Sequence, residues 1–242
     1  MTPPHVFERA HHRRIAQVLG ALDARLLHAH RCLFGGGTAI ALRYGEYRES
    51  IDIDFIVSDV AGYRELRQLL TGAQGMAAIV RTGAAPLVQA RELRADQYGV
   101  RTALLVDAER IKFEIVFEGR VELAPPGRDD LVCGVATLTP LDLATTKLLA
   151  NSDRWRDDSV FSRDLIDLAM MSPTLPLLRD ALAKAEQAYG ASVRTDLAKA
   201  IEALRTRHGR LEHCMQAMAV RPTKAELWQK IRALTRMMPK GV

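Results

Sequence analysis

Apolar and polar positions change period along the chain, and the changes outline its elements. Val6, Ile15, Val18, Leu19, Leu22, Leu26 and Leu27 recur near helical spacing, which predicts one or two helices over residues 5–31. Cys32–Phe34 is a short apolar step into Gly35–Gly37, and Thr38–Tyr44 then reads as a helix opened by that turn. Ile51–Val57 alternates in steps of two, as a strand with one buried face requires. Gly62–Leu70 suggests a further helix, and residues 86–123 hold the β-rich runs PLVQARELR, YGVRTALLV and RIKFEIVF. APPGRDD at 124–130 is the strongest turn or linker signal. After Pro140 the period is helical in LDLATTKLLAN, VFSRDLIDLAMM, LLRDALAKAEQAYG, TDLAKAIEALRTRHG and KAELWQKIRALTRMM. The pattern predicts a mixed-sheet α/β (α+β) domain over residues 1–130, followed by a helical domain over 131–242.

A chain of 242 residues with 48% hydrophobic content can bury a core of ordinary size. It shows no apolar run of transmembrane length and no secretory leader, so a cytoplasmic protein without a membrane partner is expected. Cys32, Cys133 and Cys214 lie far apart, which suggests neither a disulfide framework nor a zinc knuckle. His28 and Cys32 share a helical face but His30 points away, so no metal role is expected there. Met170, Met171, Met215, Met218, Met237 and Met238 read as core or partner-facing positions, and Trp228 as a core anchor. The net charge of +5 is unevenly placed: 13 Lys/Arg face 6 Asp/Glu from residue 179 onward, leaving 21 against 23 before it. Such a basic region is either a footprint for a polyanion or a solvated face of basic helices.

Asp52 and Asp54 change the picture. Successive strand side chains point to opposite faces, so the two aspartates share one face while Ile51, Ile53 and Phe55 share the other. Two such carboxylates repel, and a divalent cation removes the conflict; oxygen ligands suit Mg²⁺, which takes one or two carboxylates and completes its shell with water and phosphate oxygens. RIKFEIVF offers a third carboxylate, because Lys112, Glu114 and Val116 face one way and Phe113, Ile115 and Phe117 the other. The glycines match this. A turn that opens a helix presents backbone N–H groups to phosphate, so Gly36, Gly37 and Thr38 could hold the terminal phosphates of a nucleotide. On their own, a DxD can be solvated surface and three glycines a plain turn.

GGGTAIALRYG followed by Arg48, Ser50, Asp52, Asp54 and Phe55 in the pattern R-x-S-x-D-I-D-F resembles the AbiEii/AbiGii toxin family, within the DNA polymerase beta-like nucleotidyltransferases. LTPLDLATTKLLANSDRWRDDSVFSRDLIDLAMM is similar to that family's helical block. The resemblance implies Asp52, Asp54 and Glu114 as metal ligands and catalytic carboxylates. It implies Lys147 as a phosphate contact, and Arg163, Asp164 and Asp167 as the helical side of the cleft, with Asp164 catalytic. Gly36, Gly37, Thr38, Arg48 and Ser50 then join Lys147, Arg163 and Asp167 in binding the nucleotide. Thr38 stands where Ser is common and Glu114 where Asp is common. Read without the resemblance, Arg163 and Asp167 can equally form an i,i+4 salt bridge under a Ser162 N-cap.

The expected activity is that of a Mg²⁺-dependent nucleotidyltransferase, moving a nucleoside monophosphate from a nucleoside triphosphate to an acceptor hydroxyl. The resemblance implies the toxin of a toxin–antitoxin or phage-defence system, with a cognate antitoxin and with transfer RNA 3′ ends as the acceptor. The basic helices suit an RNA. A protein or aminoglycoside-like acceptor is the second reading. A catalytically silent nucleotide-binding module acting by complex formation is the third.

Overall fold

The computed structural model describes residues 7–237; Val6 and Met238, counted above, lie outside them, as does the Met237 side chain. Two compact units result. One holds the chain up to Arg43 together with Ser50–Thr139, and the other holds Tyr44–Glu49 and the chain from Pro140 onward.

The first unit opens with α1 (Ala10–Ala21) and α2 (Ala24–Ala29), the second capped by Asp23, whose carboxylate accepts from the Arg25 and Leu26 N–H groups. Then follow β1 (Leu33–Phe34), α3 (Gly36–Arg43), β2 (Ile53–Val57) and α4 (Val60–Thr71). β3 (Val88–Ala95), β4 (Gly99–Val106) and β5 (Glu109–Phe117) are the three β-rich runs, and a small ribbon of β6 (Leu131–Val132) and β7 (Val135–Ala136) closes the unit. The five-stranded sheet has the order β1-β2-β5-β4-β3, with β2 and β5 parallel and the other neighbours antiparallel.

Alternation decides which face is core. Ile53, Phe55 and Val57 on β2, and Ile111, Phe113 and Ile115 on β5, are all fully buried. Phe55 lies between Phe34 and Phe113, with ring centroids 5.6 and 5.7 Å apart. α3 starts two residues earlier than its period predicts, at Gly36. The strand starts two residues later, at Ile53, because the Asp52 carbonyl accepts from the Thr38 hydroxyl instead of joining a ladder.

The turn signal at 124–130 does not separate the units. Asp130 is buried, accepts from the Gly127 N–H, and pairs with Arg43 at 2.9 Å. The Arg43 guanidinium also donates to Thr137 Oγ1 and the Leu138 carbonyl, tying the end of α3 to residues 130–138.

The second unit is helical: α5 (Pro140–Arg154), α6 (Arg163–Met170), α7 (Leu175–Tyr189), α8 (Ser192–Thr206), α9 (Arg210–Ala217) and α10 (Lys224–Ala233). α7 begins at a Thr174 cap with Pro176 in its first turn, and α10 carries a capping box of Thr223 and Glu226. Met170, Met171 and Met218 are buried. On α10 the buried anchors are Leu227 and Ile231; Trp228 is half-buried. Among the described residues no helix is long and apolar enough to cross a membrane.

Phe55→Ala is expected to lower the unfolding free energy by about 3–5 kcal/mol, because it removes the middle ring of three from a fully packed core. Urea denaturation of the two proteins measures the difference.

Candidate active site

The glycine turn and the Asp54 carboxylate lie against one another. The Gly35 N–H donates to the Asp54 carbonyl at 2.8 Å, extending the β1–β2 pairing by one bond. Gly36 follows with φ +67, and a methyl group placed on it would come within 2.6 Å of Asp54 Oδ2. Both facts demand glycine: the left-handed backbone penalises a side chain, and the carboxylate occupies the space one would need. α3 therefore begins beside a carboxylate, and the first-turn N–H groups of a helix have no intrahelical partner.

A chain of hydrogen bonds fixes Asp52. Thr38 Oγ1 donates to the Asp52 carbonyl at 2.5 Å and contacts Ser50 Oγ at 2.8 Å. The threonine proton is committed to the carbonyl, so the Ser50 hydroxyl is the donor to Thr38. The Ser50 N–H in turn donates to His12 Nε2 at 3.2 Å, which requires that nitrogen to be unprotonated. His12, Thr38 and Ser50 are all buried, and Asp52 and Asp54 are half-buried. Thr38 and Ser50 thus hold the segment that carries the aspartates.

Glu114 is the register partner of Asp54 on the adjacent parallel strand, so the two side chains share the face opposite the core. Its carboxylate is engaged by Lys112 Nζ at 2.7 Å and Arg101 Nε at 3.5 Å. Among the described residues, no three His, Cys, Asp or Glu side chains are grouped so that they could hold a metal ion. Cys32 is fully buried, and burial pushes its thiol well above its ordinary pKa. His30 lies 3.3 Å from Glu65.

The helical unit brings Arg48, Lys147, Asp164 and Asp167 together. Asp167 has no exposed surface and accepts four bonds: Tyr47 OH at 2.5 Å and Arg48 Nε at 2.6 Å on Oδ1, Arg48 Nη2 at 2.8 Å and Lys147 Nζ at 2.8 Å on Oδ2. Asp164 accepts from Lys147 at 2.9 Å and from Arg154 Nε and Nη2 at 2.7 and 2.9 Å. Burial would raise both carboxyls, but Arg48 and Lys147 at Asp167, and Lys147 and Arg154 at Asp164, outweigh it and hold both below the usual range. Burial and the Asp167 charge push the Tyr47 hydroxyl well up, so it stays a donor. Lys147 and Arg48, which the resemblance implies as nucleotide contacts, direct their charge to these aspartates.

Arg163 does not pair with Asp167. Asp167 is committed to Arg48 and Lys147, and among the described residues the half-buried Arg163 side chain makes no hydrogen bond or ion pair. Ser162 is left-handed (φ 51) and does not cap α6 with its side chain. Sequence reasoning missed His12, Tyr47 and Arg154. Only Tyr47 carried a usable signal, since it adjoins Arg48 in the motif; the other two need three-dimensional proximity.

Three outcomes follow from this geometry. Gly36→Ala is expected to cost at least about 1–2 kcal/mol of stability through its backbone alone, measurable by urea denaturation. Asp167→Ala is expected to cost about 3–5 kcal/mol, since it leaves Arg48 buried without its carboxylate and Lys147 with Asp164 alone. The folded-state values of Asp164 and Asp167 are depressed. Their contribution is therefore complete above the unfolded value of about 3.9 and is lost as pH falls through the folded values. Unfolding measured from pH 6 downward should show stability falling below roughly pH 4, with a shallower fall in Asp167→Asn.

The model of the AbiEii nucleotidyl transferase toxin of type IV toxin–antitoxin systems matches residues 17–237. No curated protein matches the chain significantly. Among solved structures, a Helicobacter pylori protein provisionally described as a nucleotidyltransferase aligns over 96% of both chains at 14% identity, with a TM-score of 0.52. JHP933 from Helicobacter pylori aligns over 96% of this chain and 94% of its own at 14% identity, with a TM-score of 0.53. At that identity the likeness is one of fold. The family match spans both units, and with it the glycine turn, the aspartate strand and the buried ion cluster, so the chain belongs to the AbiEii toxin family of nucleotidyltransferases.

Proposed function

We propose that the first unit binds a nucleoside triphosphate with a divalent cation, Mg²⁺ by its donor chemistry, and transfers the nucleoside monophosphate to a hydroxyl at a transfer RNA 3′ end. The observation that carries this reading is the close approach of Gly36 to the Asp54 carboxylate, which sets a carboxylate beside the opening turn of a helix. Asp52 and Asp54 would hold the cation, with Glu114 as the third carboxylate. The donors fit, being oxygen only. A preformed cage of three ligands is not required, since Mg²⁺ is commonly held through one or two carboxylates with water and phosphate oxygens. When bound, the cation supplies charge neutralisation at the reacting phosphate and activation of the attacking hydroxyl.

The chain's own groups do the rest. Gly36, Gly37 and Thr38 present backbone N–H groups to phosphate oxygens, and Thr38, held by Ser50, keeps the Asp52 backbone in place. Glu114 sits between Lys112 and Arg101, which balance its charge. In the helical unit, Arg48, Lys147, Asp164 and Asp167 act as a positioning cluster. Arg163, with no hydrogen-bond or ion-pair partner among the described residues, is a cation of that unit that remains open to an anion. A cognate antitoxin is the natural protein partner of such a toxin.

The test incubates the protein with α-labelled nucleoside triphosphates, Mg²⁺ and total RNA. Label should enter RNA of transfer RNA size, and Asp52→Ala with Asp54→Ala should reduce it at least about 10³-fold. Transfer that survives this double change, or label found only on protein, rejects the reading.

A further inference from the structure

The sheet face that carries Asp54 continues across two more strands, and it is basic. Strand register puts Asp54, Glu114, Arg101 and Arg94 in one row across β2, β5, β4 and β3. The next row contains Lys112, Ala103 and Arg91, and the one after it Arg110, Leu105 and Val88. Register partners share a face, so Arg91, Arg94, Arg101, Arg110 and Lys112 stand on the same side as the aspartate. The other side is core, with Val100, Leu104, Ile111, Phe113 and Ile115 fully buried.

Two irregularities in β3 produce this. Register shifts fall between Gln89 and Arg91 and again between Arg91 and Arg94. Gln89 pairs with Leu104, on the core side, and its amide donates to the buried Thr102. Strict alternation from there would put Arg94 on the Arg101 side but leave Arg91 on the core side; the first shift brings Arg91 round and the second keeps Arg94 on the same side as it. Bulges beside active sites have this re-aiming use.

Availability separates these cations from the basic helices. Arg91, Arg94 and Arg110 are exposed and, among the described residues, make no side-chain hydrogen bond or ion pair. Arg101 and Lys112 are partly engaged, by Asp96 and Glu114 for the former and by Glu114 for the latter. In the helical unit, Arg179, Lys184, Arg194, Arg205, Arg207, Arg210 and Lys224 are each already paired with a carboxylate. The unevenness of charge along the sequence therefore overstates the charge these helices leave free.

We propose that this sheet face, running from Asp54 out along Arg101, Arg94, Arg91 and Arg110, is the track that receives the sugar–phosphate backbone of an RNA acceptor. Three strand spacings separate Asp54 from Arg94, roughly 14 Å, on an open surface rather than in a pocket. That suits an extended polyanion entering from the sheet edge, not a compact triphosphate. The direction of the track, with the RNA end at the carboxylates, rests on the transfer reading; the binding itself does not.

The experiment titrates full-length protein into a fluorescein-labelled hairpin RNA with a single-stranded 3′ end, over a series of salt concentrations. Arg91→Ala, Arg94→Ala and Arg110→Ala together should weaken binding roughly tenfold or more and flatten log K against log salt by about 2–3, one phosphate contact per arginine. The thermal midpoint should move little, because these exposed side chains make no hydrogen bond or ion pair among the described residues. Arg179→Ala, Arg205→Ala and Arg207→Ala in the helical unit should leave affinity within about twofold. The proposal falls if the sheet variant binds like the wild type, if the helical variant loses as much, if the wild type binds no RNA, or if it prefers phosphatidylserine–phosphatidylcholine vesicles. Arginine-dependent RNA binding by a protein that transfers no nucleotide would remove the transfer reading and leave the track standing.

Discussion

A missing side chain organises the first unit. Because Gly36 has only hydrogens to offer, α3 can begin where the Asp54 carboxylate already is, and the short β1 can pair beside it through Gly35. Every later feature of that unit is referred to this contact. Thr38 is one turn-position further on and reaches the Asp52 carbonyl. Ser50 braces Thr38, His12 braces Ser50, and Arg43 anchors the far end of the same helix to Asp130 and Thr137. A helix of eight residues is thereby held at both ends by polar contacts, which substitutes for the packing a longer helix would supply.

The second unit solves a different problem. Three cations and two aspartates share a largely water-free region, and each aspartate is saturated with donors. Such an arrangement contributes little net stability relative to well-packed apolar residues, but losing one member is costly. Its value is directional. The bidentate contacts of Arg48 on Asp167 and of Arg154 on Asp164 fix guanidinium planes, and through them the helices that carry the aspartates.

How much of this was legible in the sequence depends on the range of the interaction. Period-2 alternation in Ile51–Val57 and in RIKFEIVF identified the core faces within the strands, because alternation is a local property of a pleated strand, but Ile51 lies before the strand and is exposed. The pairing of Asp54 with Glu114 was legible only as a common sidedness; which strands are neighbours is set by topology. The Arg163–Asp167 pair failed for a physical reason: an i,i+4 contact on a helix surface is weak, and two buried cations from elsewhere outcompeted it for the same carboxylate. Net charge along the chain singled out the helices, but counting charges takes no account of which ones are already paired, as Arg179, Arg205 and Arg207 are. The re-aimed Arg91 of β3 was invisible, because nothing in VQARELRA marks a bulge.

Tyr44–Glu49 carries one more consequence. This hexapeptide sits in sequence between α3 and the aspartate strand, yet it groups with helices that begin ninety-odd residues later: the Glu49 N–H donates to the Met218 carbonyl, the Arg221 N–H to the Tyr47 carbonyl, and Arg48 to Asp167. A ribosome delivering the chain from its amino end releases Arg48 long before its carboxylate exists. The half with the glycine turn is therefore not self-sufficient. Replacing the carboxyl-terminal half with an unrelated sequence would strand Arg48 with nothing to neutralise it.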